Sequence, residues 1–223
     1  MTAFRFTGIP EGIAKRTRTA LALLALGLAP AAAAGQDATG DSTVYVLSPA
    51  SQLEVKTGKA GLLGFAGHDH VIRARAFSGR IVYYPAAPEA SHVVMTIAAD
   101  GLEVLTPPDT AEIRKVTAAM RTEVLEIATY PEIRFAADSV VLLGDTVALR
   151  GALTLKDRTR EVPVRARVEL GPDTLRATAT FTVRQTDFGI RPYRGGPLGT
   201  VRVADEIRFT IRAVAIRASP PGR

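Results

Sequence analysis

The chain has 223 residues, 47% of them hydrophobic and 22% charged, with a formal net charge of +6. That composition suits one globular domain and excludes wholesale disorder. Cys is absent, which excludes disulfides, thiolate catalysis, Fe–S clusters and Cys-ligated zinc. Trp is absent too, and aromatic residues make up only 6%.

Residues 1–34 have the order of a secretory signal. Lys15, Arg16 and Arg18 form a basic region. Ala20 to Ala29 is an apolar stretch too short to span a bilayer. Pro30 breaks it, and Ala32, Ala33 and Ala34 supply the small residues that a signal peptidase needs. Cleavage there removes Arg5, Lys15, Arg16, Arg18 and Glu11, four basic residues and one acidic, and lowers the net charge to about +3. The remaining Arg residues are scattered, which excludes the clustered basic face of a nucleic-acid binder.

Residues 35–42 are small and polar and form a lead-in. Beyond them the chain alternates with period 2, the rhythm of half-buried strands. Leu53, Val55 and Thr57 oppose Gln52, Glu54 and Lys56. The rhythm recurs in Phe77 to Tyr83 and in Val93 to Ala99. Leu175, Ala177, Ala179, Phe181 and Val183 alternate with Arg and Thr, and Val203, Ile207, Phe209 and Ile211 with Arg and Glu. Gly144-Asp145, Lys156-Asp157-Arg158 and Gly171-Pro172-Asp173 read as tight turns, which force antiparallel neighbours. One segment differs. Asp109 stands three residues before Glu112, a capping spacing, and Ile113, Val116, Met120, Val124 and Ile127 follow at helical intervals. The spacing predicts one amphipathic helix over 110–127, stopped by Tyr130-Pro131 and laid on an open end or face of the sheet.

Eight or nine strands and one helix predict an all-β chain closed, or nearly closed, into an antiparallel barrel of about eight strands. A barrel of that size either fills its interior with side chains or holds one ligand.

The densest local cluster of chemical groups is Gly67-His68-Asp69-His70. On a strand His68 and His70 would share a face and could chelate zinc or copper, with His92 or a distant carboxylate as a third ligand. The competing reading has them hydrogen-bonding a loop to the barrel rim. Arg184, Asp187, Arg191 and Arg194 lie around Phe188-Gly189-Ile190. They could grip a phosphate or carboxylate, or be a solvated strand end with an Arg184–Asp187 ion pair. Gly195 to Gly199 reads as a loop between strands, and no nucleophile elbow or zinc-protease motif occurs.

Several stretches, in order, are similar to one family. They are Tyr45 to Pro49 with Ser51; Phe77-Ser78-Gly79; Met120-Arg121 with Tyr130 to Phe135; Gly151 to Leu155 with Thr159-Arg160; and Phe181 to Arg184 with Asp187 to Ile190. Together they resemble the YceI family of exported, lipocalin-like, polyisoprenoid-binding proteins, from about Val44 to Ala213. Asp157 stands where that family's hairpin usually has Gly, and two His stand where it usually carries one. The resemblance implies an extended barrel covered by a helix, with a long isoprenoid chain, such as a quinone or prenyl phosphate, in an apolar pore.

The expected domain spans 43–215, with a flexible tail at 216–223. Its expected ligand wall is Leu53, Val55, Phe77, Ile81, Met95, Ile97, Phe135, Leu153, Leu155, Phe181, Val183, Ile207 and Phe209, positions that would equally suit a dry core. The expected polar mouth is His68, His70, Arg184 and Asp187. The expectation is a periplasmic lipid carrier, monomer or homodimer, with no catalytic residue, metal or cofactor beyond a bound isoprenoid or other long-chain lipid. The rivals are an exported metal-binding protein centred on His68 and His70, and a ligand-free interaction or stress module. Intact-mass measurement of the exported protein should show a chain beginning near Gly35; a mass that includes residues 1–34 refutes the leader.

Overall fold

In the computed structural model, which describes residues 41–60, 69–106, 109–138, 140–195 and 201–219, thirteen strands form one sheet. In chain order they are β1 (Thr43–Leu47), β2 (Gln52–Ala60), β3 (His70–Ala74), β4 (Phe77–Tyr83), β5 (His92–Ala98), β6 (Leu102–Val104), β7 (Glu132–Ala137), β8 (Val140–Leu143), β9 (Thr146–Leu155), β10 (Arg158–Leu170), β11 (Thr174–Arg184), β12 (Arg194–Gly195) and β13 (Val201–Arg217). Eight of them, β1-β4-β5-β7-β9-β10-β11-β13, close into a ring when β13 pairs back to β1. Every pairing is antiparallel, as the short turns demand.

The long last strand makes closure work. One edge of β13 pairs β11 from Glu206 to Ile216. Its other edge is shared: β2 takes Arg202 to Arg212, and β1 takes Ala215 to Arg217. Between β1 and β2 the chain kinks, and the ladder would lose contact with Val214. Ser51, only 6% exposed, fills the gap. Its hydroxyl donates to the Val214 carbonyl and accepts from the Val214 N–H, both at 3.0 Å. Ser48 N–H adds a bond to the same carbonyl at 2.8 Å.

Strands β3 and β4, and β5 and β6, are likewise kinked pairs, joined at the bend by Arg75 N–H to Gly101 carbonyl (2.9 Å) and Ala98 N–H to Ala76 carbonyl (3.0 Å). The outer halves β2-β3-β6 extend the wall beyond the ring, and β6 ends that branch.

The helix packs against β6 and differs from expectation. Helix α1 (Thr110–Ala119) starts as predicted, with the Asp109 carboxylate accepting from Ala111 and Glu112 N–H. It ends at residue 119 and gives way to a wide π turn over 120–124, closed by Leu125 N–H on the Met120 carbonyl at 2.8 Å. Glu126 then takes a positive φ of 49°, which stops the helix before Tyr130. The extra residue in the turn breaks the 3.6-residue stripe and lets both Val124 and Leu125 pack on the core. No residue of α1 itself is fully buried.

The expected turns stand where they were read. Gly144 has φ 63°, and at Lys156-Asp157 the positive φ angles of 48° and 56° fall on two non-glycine residues. The last strand runs to Arg217, so Ile216 and Arg217, placed in a flexible tail by the sequence, belong to the barrel.

Removing the Ser51 hydroxyl leaves the partly buried Val214 N–H without that partner. Ser51→Ala should cost about 1–3 kcal/mol of unfolding free energy. Chemical denaturation checks this; a change within about 0.5 kcal/mol would show that water or backbone shift replaces the bond.

Candidate functional site

Alternation sends one residue in two into the barrel. What stands at those inward positions changes from one end to the other. Near the 206–207 end of β13 the interior is full. Phe188 and Ile190 are 1% and 2% exposed and pack with Leu155, Val162, Val183 and Ile207. A short 3-10 turn, Gln185–Phe188, carries them across the barrel end. Gln185 Nε2 donates to the Ala204 carbonyl (2.8 Å), and Thr186 N–H and Oγ1 bond the Asp205 carboxylate (2.9 and 2.7 Å). Those bonds hold the turn to the bulge where β13 and β2 shift register between Val203 and Ile207. Gly189 ends the turn at φ 69°, and a Cβ there would meet Arg158 Nε at 2.6 Å.

Above this plug Phe181 and Phe209, paired across β11 and β13, stack with centroids 4.8 Å apart and planes 2° from parallel. Phe135 adds a third ring. It lies over Gly151, where a Cβ would meet Phe135 Cε2 at 2.0 Å.

Beyond the rings the inward residues become small. Ala166 pairs Ala179, and Ala177 pairs Ala213, on the neighbouring strands β10, β11 and β13. This alanine patch leaves a cavity of about 240 Å³. Its wall is almost wholly carbon. Leu53, Val55, Ile81, Met95, Ile97, Phe135, Leu153, Phe181 and Phe209 line it, together with the alanines and with Leu47, Ile72, Val93, Leu149, Val164, Val168, Leu175 and Ile211.

Tyr83, Pro88, Ser91, His92, Val140, Leu142 and Leu170 line its far end. Leu142 and Leu170 are also 54% and 49% exposed, so the wall continues to the surface there and that end is the mouth. Ser91 is buried, its Oγ accepting from Tyr84 N–H at 3.2 Å. The His92 ring is tilted 42° against Tyr84. Glu54, also on the lining, is held by Arg73 Nε at 2.8 Å.

The family model for the YceI-like domain matches residues 45–215. The chain belongs to that family. Solved structures of the same fold include Burkholderia cenocepacia BcnA, at 17% identity and TM-score 0.59, covering 75% of this chain and 98% of that one. A polyisoprenoid binding domain from Saccharophagus degradans, implicated in plant cell wall breakdown, is 13% identical at TM-score 0.58, covering 80% and 100%. The Campylobacter jejuni YceI protein is 14% identical at TM-score 0.51, covering 67% and 85%. At these identities the likeness is one of fold. No curated protein matches the chain in sequence.

Within this YceI-like barrel four of the expected wall residues stand elsewhere. Leu155, Val183 and Ile207 belong to the plug, because the turn carrying Phe188 and Ile190 folds back under them. Phe77 packs beside Tyr45, Leu47 and Ala215 and does not line the cavity.

The expected polar mouth is also displaced. His68 lies outside the described residues. His70 pairs Thr57, which pairs Ile207, so it stands level with the plug. Its Nδ1–H donates to the Thr106 carbonyl at 2.8 Å. Arg184 pairs Glu206 in the same region and forms an exposed ion pair with Asp187 at 3.1 Å. None of the three lines the cavity.

His92 pairs Val82 at the opposite end, so it is not a third ligand beside His70. Among the described residues no group of three His, Asp or Glu could hold a metal ion. None of their helices is long and apolar enough to cross a membrane.

The sequence reading missed the real mouth. Tyr83 ends β4 just before Pro85, and Ser91 and His92 follow that turn, so proximity to Pro85 was the available signal. It also missed Ala166 and Ala213, whose alternation in Val164-Arg165-Ala166-Arg167-Val168 and Ile211-Arg212-Ala213 was legible.

A larger side chain separates cavity from core. Ala179→Phe projects into open space and should change stability by less than about 1 kcal/mol, whereas Ala215→Phe, at a position fully buried outside the cavity lining, should cost about 1–3 kcal/mol or more. Paired thermal melts decide it. Equal losses for both would mean that the Ala179 face is packed.

Proposed function

We propose that this YceI-like chain is an exported carrier that holds the hydrocarbon chain of an isoprenoid-type lipid in its barrel, and that it acts without catalysis. The observation that carries this reading is the apolar cavity, hollowed by the paired alanines and opening between Leu142 and Leu170. Desolvation supplies the affinity. Each CH₂ taken from water is worth about 0.8 kcal/mol, so a branched hydrocarbon tail binds without a polar contact. The Tyr83, Ser91 and His92 side chains at the mouth can meet a polar head while the tail lies inside. The polyisoprenoid binding domain from Saccharophagus degradans, of the same fold, supports the isoprenoid assignment.

Residues 1–34 have the order of a cleavable leader, and the periplasm is the proposed location. A Cys-free barrel held by its sheet and core folds without help from an oxidising compartment.

Solvent extraction of protein purified from its exported form, followed by mass spectrometry, should release a stoichiometric lipid with an isoprenoid tail. Ala179→Phe should cut the extracted amount severalfold, since the ring occupies the space of the tail. Protein that yields no lipid and binds none when prenyl alcohol is added overturns the carrier reading.

A further inference from the structure

The cavity has one blind end, and the blind end has an unusual construction. On β9, β10, β11 and β13 the lining stops where the plug begins. Phe181 lines the cavity on β11 and the next inward residue, Val183, is buried in the plug; on β13 the same step runs from Phe209 to Ile207. The neighbouring strands β10 and β9 stop in the same way, at Val164 and Leu153.

Below that level Phe188 and Ile190 fill the space, and hydrogen bonds from Gln185 and Thr186 to the β13 bulge fix them. A chain entering at the mouth and running along β11 and β13 therefore meets a stacked aromatic pair backed by solid core.

The depth follows from the strands. From Leu175 at the mouth to Phe181 on the floor is six residues of β11, about 20 Å along the strand. Strand tilt reduces this to about 15 Å along the barrel axis.

We infer that the Phe181–Phe209 stack is a length stop, and that this barrel takes prenyl chains of about three to four extended isoprene units. The inference rests on the carrier reading and adds the size class of its ligand. A much longer polyprenyl chain would have to fold back on itself or leave its end in water. Either way the additional units contribute little affinity. The alanine patch widens only the wall above the rings, so chain length is read by the two phenylalanines and not by the wall.

The test is a graded series of prenyl alcohols, geraniol, farnesol, geranylgeraniol and solanesol, titrated against the delipidated full chain by displacement of an apolar fluorescent probe. Affinity should rise at least about tenfold per added unit while units still fit. It should then change by less than about threefold on going to solanesol.

Phe209→Ala and Phe181→Val open the floor and should move the plateau to longer chains. Ala179→Phe raises the floor and should move it to shorter ones, which keeps the test alive if removing a ring weakens the fold. A steady rise through solanesol in the unaltered chain overturns the length stop and leaves the carrier reading standing. So does a plateau that stays put in variants that still melt cooperatively. Failure of every alcohol to bind overturns the carrier reading, and the length stop with it.

Discussion

The barrel depends on one strand with two partners along the same edge. A sheet of eight strands can close only if its first and last members meet, and here the first strand is too short to cover the last. β13 spans residues 201–217, while β1 has only five residues. The remainder of that edge is covered by β2 after a kink. The kink would strand Val214, and the Ser51 hydroxyl both gives and takes the missing ladder bonds. Barrel closure is thus made by two short ladders, with one buried side chain bridging the break between them. The same kinked construction repeats in β3–β4 and β5–β6, which is why the lower wall runs past the ring and gives α1 an edge to pack on.

Closure fixes the inward positions, and side-chain size then divides the interior. Strands β11 and β13 each run through both halves. Ala177, Ala179 and Ala213 stand where there is space; Phe181, Phe209, Val183 and Ile207 stand where there is none. Nothing in the backbone changes between the two stretches, since the register is unbroken from Thr174↔Ile216 to Arg184↔Glu206. The plug draws on residues from outside the strands, at the end where β13 and β2 shift register between Val203 and Ile207. Phe188 and Ile190 supply volume there, and the π turn adds Val124 and Leu125 from the other side.

This division explains how far the sequence could be read. Period-2 alternation identifies inward residues, and Leu53, Val55, Ile81, Met95, Ile97, Phe135, Leu153, Phe181 and Phe209 were found that way. Alternation cannot say at what height along the barrel a residue sits. Leu155, Val183 and Ile207 therefore looked like Leu153, Phe181 and Phe209, although they belong to the plug that closes the cavity. The plug itself was hidden because Phe188 and Ile190 sit in a turn, where periodicity carries no signal. The mouth was misplaced for a related reason. His70, Arg184 and Asp187 drew attention through their chemistry, but which end of a barrel a residue occupies is decided by register over long sequence separations, such as Tyr45 with Arg217. The helix start, set by a local cap at Asp109, was legible; its wide end, set by packing of Val124 and Leu125, was not.

The cavity itself has an energetic consequence. Space left unfilled beside apolar side chains forfeits their dispersion contacts, so an apolar hollow of this size works against stability while it is empty. Filling the same positions with Leu or Val would have been a small change in sequence, and the strands already place such residues at Leu149, Val164 and Val168 on the same wall. The alanines at 166, 177, 179 and 213 are paired with one another across strands, so the hollow is continuous and not a scatter of small defects. A ligand that occupies it restores the missing dispersion contacts and adds stability through its own binding free energy. Both ends of the hollow are held: the plug end by Gln185, Thr186 and the core around Phe188, and the mouth half by the cluster of Tyr45, Leu47, Leu175, Ala213 and Ala215, so the barrel can stand around the space that a ligand fills.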